Sequence, residues 1–355
     1  MQRRHAHVRP TTRRFRYNYL SRTMSVLAVD IGGTNLRSML FDSKGYRENG
    51  GKIVSNAPAL RNVERMSDGS LDVSAVTAFL QGCIHAGRVE PATAAAPSDL
   101  AAASKIEAIG VSIAGTVDQS RRVVVRAMNL GLVHAELAAA IEQAVGVPVV
   151  LETDSFAAGL AEARLGAGQG YDPVLFLTIG TGIGHAVISS GEVVRGARSG
   201  ASVFGHICVE PDGVECYCGR RGCLCMYASG RGVAALARST GRIADGVAVS
   251  KAAGEGEDWA RELIERSDSY LARALSGALS LLNPARVVIS GGAFGPDPER
   301  FARLQGMVSE RVHASVEPIE IVPGEFPETA ALVGAGLVAQ EIRCRSCGPG
   351  TDAQQ

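Results

Sequence analysis

No apolar run in this 355-residue chain reaches the roughly 20 residues that a helix needs to cross a bilayer, which excludes a helical membrane span. Internal repeats at solenoid periods are missing, as is any collagenous or coiled-coil composition. What is there, 46% hydrophobic and 20% charged residues, is the composition of a soluble globular protein. The length suffices for two domains of ordinary size, each with its own core.

Acidic residues are missing from positions 1–23, which carry seven arginines: Arg3, Arg4, Arg9, Arg13, Arg14, Arg16 and Arg22. The formal net charge of zero therefore hides an asymmetry, because the remainder holds 29 basic against 36 acidic residues, a net of −7. Such a body does not present a nucleic-acid-binding surface. The head lacks the apolar stretch and small-residue cleavage site of a signal peptide. Binding an acidic partner or serving as a transit segment are readings of it. The better one is a disordered extension, or one ahead of the true start, because Met24 opens Met-Ser-Val-Leu-Ala-Val-Asp, the first strand.

Three of the eight cysteines, Cys216, Cys218 and Cys223, fall with His206 in an H-x9-C-x-C-x4-C run of eighteen residues. One imidazole and three thiols supply the four N/S ligands of a closed tetrahedral zinc site. Glycines in Cys-x-Cys-Gly-x-x-Gly-Cys stand where a chain must turn tightly around an ion. A loop of reduced structural cysteines beside an unrelated histidine is the blander alternative. Cys208 and Cys225 lie beside the cluster, Cys83 is alone in an expected helix, and Cys344-x-x-Cys347 has no second pair. Cysteines grouped as metal ligands fit a reducing compartment, so a cytoplasmic protein is expected.

Val26–Val29 reads as an apolar strand ending in Asp30 and a glycine turn, Leu36–Phe41 as a second strand and Ser43–Gly45 as a hairpin turn. Val73–Ala86 has helical spacing, and Ala92–Ser104 is a low-complexity surface stretch. Ile106–Ile113 and Val147–Leu151 read as strands, and Asp154–Gly166 as a helix. Val174–Ile179 then repeats the opening theme, an apolar strand running into glycines. Helices are expected from about Gly230 to Leu282, a strand at Val287–Ser290 and a last helix from about Ala330 to Ile342. Strands alternating with helices give an α/β class. Two glycine turns in two halves argue for two related lobes with a cleft between them. The expected division is an N-terminal lobe over 24–150, joined by the last helix at about 330–342, a C-terminal lobe over 151–329, and a disordered tail over 343–355.

Asp30-Ile-Gly-Gly-Thr-Asn-Leu-Arg37 follows the first strand. Gly32 and Gly33 remove side chains so that backbone N–H groups can approach phosphate, and Thr34 adds a hydroxyl donor. Asp30 is placed to hold a magnesium ion or its bound water. No Gly-Lys-Ser/Thr follows, so this is not a Walker motif, nor is it G-x-G-x-x-G. A plain hairpin would need neither the aspartate nor Arg37. Gly180-Thr181-Gly182-Ile-Gly184 is the second such loop, of value chiefly as a partner to the first. Asp154 is the catalytic candidate, since a carboxylate past a strand end can take the proton of a hydroxyl attacking a γ-phosphate. From spacing alone, Asp154 or Thr153 can equally be the helix N-cap.

The order of Asp-x-Gly-Gly-Thr-x-x-Arg, Gly110-Val-Ser-Ile-Ala-Gly-Thr-Val-Asp118, Asp154 at a helix start, Gly-Thr-Gly-Ile-Gly, Gly-His and Cys-x-Cys-Gly-x-x-Gly-Cys resembles the ROK family. These are sugar kinases and sugar-responsive repressors of the actin-like ATPase superfamily, and the resemblance runs from about Val26 to Ala339. It implies a two-lobed, ribonuclease H-like fold with a central cleft and a zinc-bound loop. It implies ATP, Mg2+ and a hexose as ligands, with transfer usually to the 6-hydroxyl. By the same resemblance Asp154 is the general base. Asp30, Gly32, Gly33, Thr34, Arg37, Gly180, Thr181 and Gly182 handle phosphate and magnesium, and Gly291 and Gly292 belong to the nucleotide pocket. Gly115, Thr153 and Asp154 line the sugar, with His206 touching it while it ligates structural Zn2+. A homodimer or homotetramer is implied, with no nucleic-acid or membrane partner.

Three positions depart from the family pattern: Thr153 stands for Asn, Val203 for Glu and Cys225 for Glu. Each lost side chain would hydrogen-bond a sugar hydroxyl, at ~1–3 kcal/mol apiece, so glucose is not expected to bind in the usual way. The base, both glycine loops and the zinc ligands remain, which marks a pocket altered and not abandoned. An amino sugar such as kanosamine suits a changed set of polar partners. The expected activity is therefore an ATP-dependent hexose or aminohexose kinase. The alternative is a catalytically weak sugar-binding or regulatory protein. A repressor needs a helix-turn-helix of several tens of residues, for which a 23-residue head is too short.

Overall fold

The computed structural model describes residues 25–42, 59–86 and 106–346. The arginine-rich head, the Ser43–Gly45 turn, the Ala92–Ser104 stretch, Cys347 and the side chain of Cys344 lie outside the described residues.

Strand β1 (Ser25–Ile31) is buried along its whole length. It pairs antiparallel with β2 (Asn35–Asp42), which pairs with β3 (Ala59–Asn62), and on its other side parallel with β4 (Ile106–Ile113). Helix α1 (Val73–Ala86) matches the helical spacing and packs through Val76, Leu80 and Ile84. Short strands β5 (Thr116–Val117), β6 (Val124–Ala127) and β7 (Leu132–Ala135) form a separate antiparallel sheet, followed by α2 (Leu137–Val145). Strand β8 (Val149–Thr153) closes the first sheet beside β4. It starts and ends two residues later than its apolar run suggests, because Pro148 has no N–H to give to the ladder and contributes only its carbonyl, to Ile109 at 2.8 Å. Helix α3 (Asp154–Leu165) follows with no intervening residue.

The second sheet repeats the first. Strand β9 (Val174–Ile179) pairs antiparallel with β10 (Ile183–Ser189), which pairs with β11 (Glu192–Val193). On its other side β9 pairs parallel with β12 (Arg286–Ser290), and β12 with β13 (Ile321–Pro323). The orders β3-β2-β1-β4-β8 and β11-β10-β9-β12-β13 are thus the same succession, each with a glycine turn after its central strand. Between β11 and β12 lie the metal-ligand loop and helices α4 (Cys225–Ala228), α5 (Gly230–Ser239), α6 (Gly246–Gly254) and α7 (Asp258–Leu282). Helix α8 (Pro298–Ser309) is capped by the Asp297 side chain, and with α7 it covers the second sheet through Leu271, Leu275, Phe301 and Leu304. Two such α/β sheets in series are the actin-like ATPase architecture. No described helix is long and apolar enough to cross a membrane.

Two compact units result. One runs to Ala161 and also takes Arg195–Ser202 and the chain from Thr329; the other holds Glu162–Val194 and Val203–Glu328. The first division therefore falls inside α3 and not at residue 150, because β8 completes the first sheet and carries the start of α3 with it. The return of Arg195–Ser202 to the first unit has no signal in the apolar pattern.

The C-terminal helix Ala330–Ser346 packs on β1 and β4. A Cβ on Gly110 of β4 would overlap the Ala335 carbonyl, and one on Gly334 would overlap the Ala157 carbonyl of α3. Backbone meets backbone at both places, which only glycine permits. Gly334→Ala is expected to cost at least about 2 kcal/mol of unfolding free energy in urea. A loss below about 0.5 kcal/mol would show that helix and α3 can separate without penalty.

Candidate active site and metal centre

Asp30 lies directly opposite Arg37 in the β1–β2 register. Its Oδ2 accepts from Arg37 Nη2 at 2.5 Å and Nε at 3.1 Å, and its Oδ1 from Ser112 Oγ at 2.9 Å. The arginine expected among the phosphate contacts thus neutralises Asp30. In the turn between them, Gly32 N–H donates to the Asn35 carbonyl at 2.9 Å, while Thr34 is exposed. Arg65 gives this turn its support, donating to the carbonyls of Gly33 (2.8 Å), Asn129 (2.6 Å) and Gly69 (2.8 Å). A single loop arginine carries no spacing signal, and sequence reasoning passed over it.

Asp154 is the first residue of α3, where β8 ends. Its Oδ1 accepts from the N–H of Ser155, the next residue, at 2.7 Å, not from the second or third helical N–H that a capping side chain takes. The Thr153 hydroxyl is buried and has no hydrogen-bond partner among the described residues, so it does not cap the helix either. Burial raises the Asp154 carboxyl to about 7, the charge of Asp30 adds to the shift and the Ser155 N–H opposes it. That places it where a carboxylate exchanges protons at neutral pH.

One residue before Thr153, the fully buried Glu152 is held by Arg195, whose Nη1 donates to Oε1 at 2.7 Å and whose Nη2 donates to Oε2. Arg121 stands 3.6 Å from the same carboxylate, and Thr153 N–H donates to it at 3.0 Å. Gly115, expected at the sugar, has a packing reason as well: a Cβ there would sit 2.6 Å from Ala127 Cβ.

In the second unit the turns after β9 and β12 meet the N-termini of α5 and α6. Gly230 N–H donates to the Gly180 carbonyl at 2.8 Å and Arg231 N–H to that of Thr181 at 3.3 Å. A Cβ on Gly230 would lie 2.9 Å from the Gly180 carbonyl oxygen; on Gly246 it would overlap Gly230, and on Gly291 (φ +104°) the Ile179 carbonyl. Gly180, Thr181, Gly182, Gly291 and Gly292 are thereby gathered into a backbone-lined cradle beside two helix N-termini, an arrangement suited to anions. A buried pair braces it: Arg300 donates to Asp268 at 2.7 Å and to the Phe294 carbonyl at 2.6 Å, just past Gly292. This pair, 32 residues apart, also escaped sequence reasoning.

His206, Cys216, Cys218 and Cys223 come together with their ligand atoms all within 4.8 Å of one another. His206 Nδ1 is 3.6 Å from Cys216 Sγ, and the Cys218 and Cys223 sulfurs are 3.7 Å apart. Ligands at about 2.3 Å around a tetrahedral zinc ion would be separated by about 3.8 Å, so the donor set fits the ion. Gly219 (φ +82°) and Gly222 (φ +70°) turn the chain around it, as the glycine spacing implied. Burial, then hydrogen bonds and proximity to neighbouring thiols, pushes Cys223 up to about 12; a divalent cation among these sulfurs would reverse that cost. The loop rests on the second glycine loop, since a Cβ on Gly205 would lie 2.7 Å from the Ile183 carbonyl oxygen. Val203 is exposed and Cys225 buried.

A family model described as the ROK family matches residues 94–342. The N-acetylmannosamine kinase of Shigella flexneri is 30% identical over 318 residues, covering 89% of this chain and 99% of the relative. Among solved structures, the ROK hexokinase of Thermus thermophilus superposes with a TM-score of 0.73 at 28% identity, covering 91% of this chain and all of that one. The ROK family glucokinase of Streptomyces griseus, solved in complex with glucose and AMPPNP, gives 0.70 at 28% identity over 89% of this chain and 99% of its own.

The raised carboxyl of Asp154 has a consequence for stability. An unfolded aspartate titrates near 3.9, so between pH 4 and 7 the folded state holds a proton that the unfolded state has lost, and stability falls as pH rises. Asp154→Asn is expected to gain stability over the wild type progressively from pH 4 to 7, with a constant gain above. Urea unfolding at several pH values checks this, and a difference independent of pH would contradict the environment assigned to Asp154.

Proposed function

Because the chain belongs to the ROK family, we propose that it is an ATP-dependent sugar kinase that transfers the γ-phosphate to the 6-hydroxyl of a hexose or aminohexose. The observation that carries this reading is Asp154, a carboxylate raised to about 7 at a strand–helix junction with no capping duty. In the proposed step Asp154 takes the proton of the sugar hydroxyl as the hydroxyl oxygen attacks the γ-phosphorus, and the bond to the departing ADP breaks. Asp30, neutralised by Arg37, keeps a lone-pair site on Oδ1 beside the bond from Ser112, which fits a water-mediated contact to magnesium. When bound, Mg2+ would neutralise the phosphate oxygens. Gly180, Thr181, Gly182, Gly291 and Gly292, and separately Gly32, Gly33 and Thr34, are the proposed phosphate contacts. His206 and the three cysteines would hold structural zinc, fixing the loop beneath Ile183.

The relatives supporting this reading are named for N-acetylmannosamine, hexose and glucose. Thr153, Val203 and Cys225 replace three side chains that would bind sugar hydroxyls, which favours a modified sugar, amino or acetamido, over glucose. The partnerless Thr153 hydroxyl beside the base is also what a catalytically weak sugar-binding protein would show, and that is the second reading.

ADP release measured with ATP, Mg2+ and a panel of glucose, mannose, N-acetylmannosamine and kanosamine tests both. The kinase reading expects sugar-dependent release, with kcat/KM rising through pH 7, and a loss of at least about 100-fold in kcat for Asp154→Asn. Sugar-induced stabilisation without ADP release from any of the four would favour the second reading.

A further inference from the structure

Beside the four expected ligands stands a fifth donor. Cys225 Sγ lies 3.7 Å from Cys216 Sγ and 3.8 Å from His206 Nδ1. Both separations are close to the ligand–ligand edge of about 3.8 Å expected around one zinc ion, although the Cys225 sulfur stands outside the group of four whose ligand atoms all lie within 4.8 Å of one another, so it must turn toward Cys218 and Cys223 to join them. The side chain is 1% exposed and packs with Cys216 and Cys223. It opens helix α4 directly after Cys223-Leu224, so its backbone is fixed by the same loop that carries Cys223. On the side of His206 the neighbour is Gly205, where even an added Cβ would stand 3.5 Å from the Cys225 Cβ. The Tyr217 side chain hydrogen-bonds the Cys225 thiol and packs edge-on against His206, ring centroids 5.3 Å apart. Thiolate is at least as good a zinc ligand as imidazole, and Arg220, whose charge bears on His206, would offset the extra negative charge.

We propose that Cys225 is an alternative metal ligand, so that zinc is held by Cys216, Cys218 and Cys223 together with either His206 or Cys225. The inference rests on the reading of this loop as a metal centre. Its consequence is that the imidazole of His206 can leave the metal without loss of the ion. A ligand set of one histidine and three cysteines has no such freedom, because removing the histidine opens the site.

The test uses the full chain as wild type, His206→Ala, Cys225→Ser and the double variant, with zinc content by elemental analysis and affinity by chelator competition. The expected result is one zinc per chain in the wild type and both single variants. His206→Ala should bind within about tenfold of wild type and the double variant at least about 100-fold more weakly. Cobalt substitution gives a second measurement. Sulfur-to-cobalt charge-transfer absorption, which grows with the number of bound thiolates, should rise by about one third in His206→Ala as three thiolates become four. His206→Asn replaces His206→Ala should the latter not fold by circular dichroism. A wild type that holds no zinc would overturn the metal centre and this inference with it. A wild type that holds zinc, with His206→Ala as weak as the double variant and no gain in cobalt absorption, would overturn the role of Cys225 alone.

Discussion

The buried carboxylate of Glu152 is the constraint on which the candidate active site depends. A fully buried charge is tolerated only when paired and hydrogen-bonded, and breaking such a pair costs about 3–5 kcal/mol. Arg195 closes on both its oxygens and Arg121 stands behind. The pairing acts in two directions at once. It fixes the end of β8, and therefore the backbone from which Asp154 projects two residues later. It also draws the segment Arg195–Ser202 into the first unit, immediately before the chain enters the metal loop at Val203. The backbone behind the proposed base and the segment before Val203 thus share one buried carboxylate.

Asp30 and Asp154 stand in contrasting surroundings. Asp30 receives a guanidinium and a hydroxyl. Asp154 receives one backbone N–H and lies in a site where burial and the charge of Asp30 both oppose ionisation. Arg37 is central to this contrast: by neutralising Asp30 it limits the repulsion that Asp154 feels, a task beside the phosphate contact that the family resemblance implies.

How much of this was legible in the sequence follows from what each feature rests on. Strand β1, the glycine turn at Gly32–Gly33 and the helix Val73–Ala86 depend on local pattern, and the sequence displays them directly. The repeat of the first sheet by the second shows through because β9 and its Gly180–Gly184 turn carry the same local signature. The candidate metal cluster is legible because four donors fall in eighteen residues. Arg195 on Glu152, Arg300 on Asp268 and Arg65 on Gly33 are contacts between residues 32 to 43 positions apart, where an ordinary arginine looks like any surface charge. The end of the first unit inside α3 was hidden for a related reason, since it is set by which sheet β8 joins and not by any composition change.

Positions 203 and 225, both occupied by Glu in the family pattern, have met different physical fates. Val203 is exposed, so the loss of its carboxylate leaves no buried group without a partner and imposes no packing demand. Cys225 is buried against Cys216 and His206, where a carboxylate would stand among thiols that must ionise to bind a metal. In the proposed reading, a thiol at that place removes a hydrogen-bond acceptor from the sugar and adds a soft donor beside the candidate metal cluster. Because Ile183 packs against the cluster of Cys216, Cys223 and Cys225, and Gly205 leaves no room between this loop and the same residue, the exchange also bears on the glycine loop proposed to receive phosphate. A change of one side chain from acid to thiol therefore bears at once on the proposed sugar contacts, the proposed metal site and the footing of Gly180–Gly184.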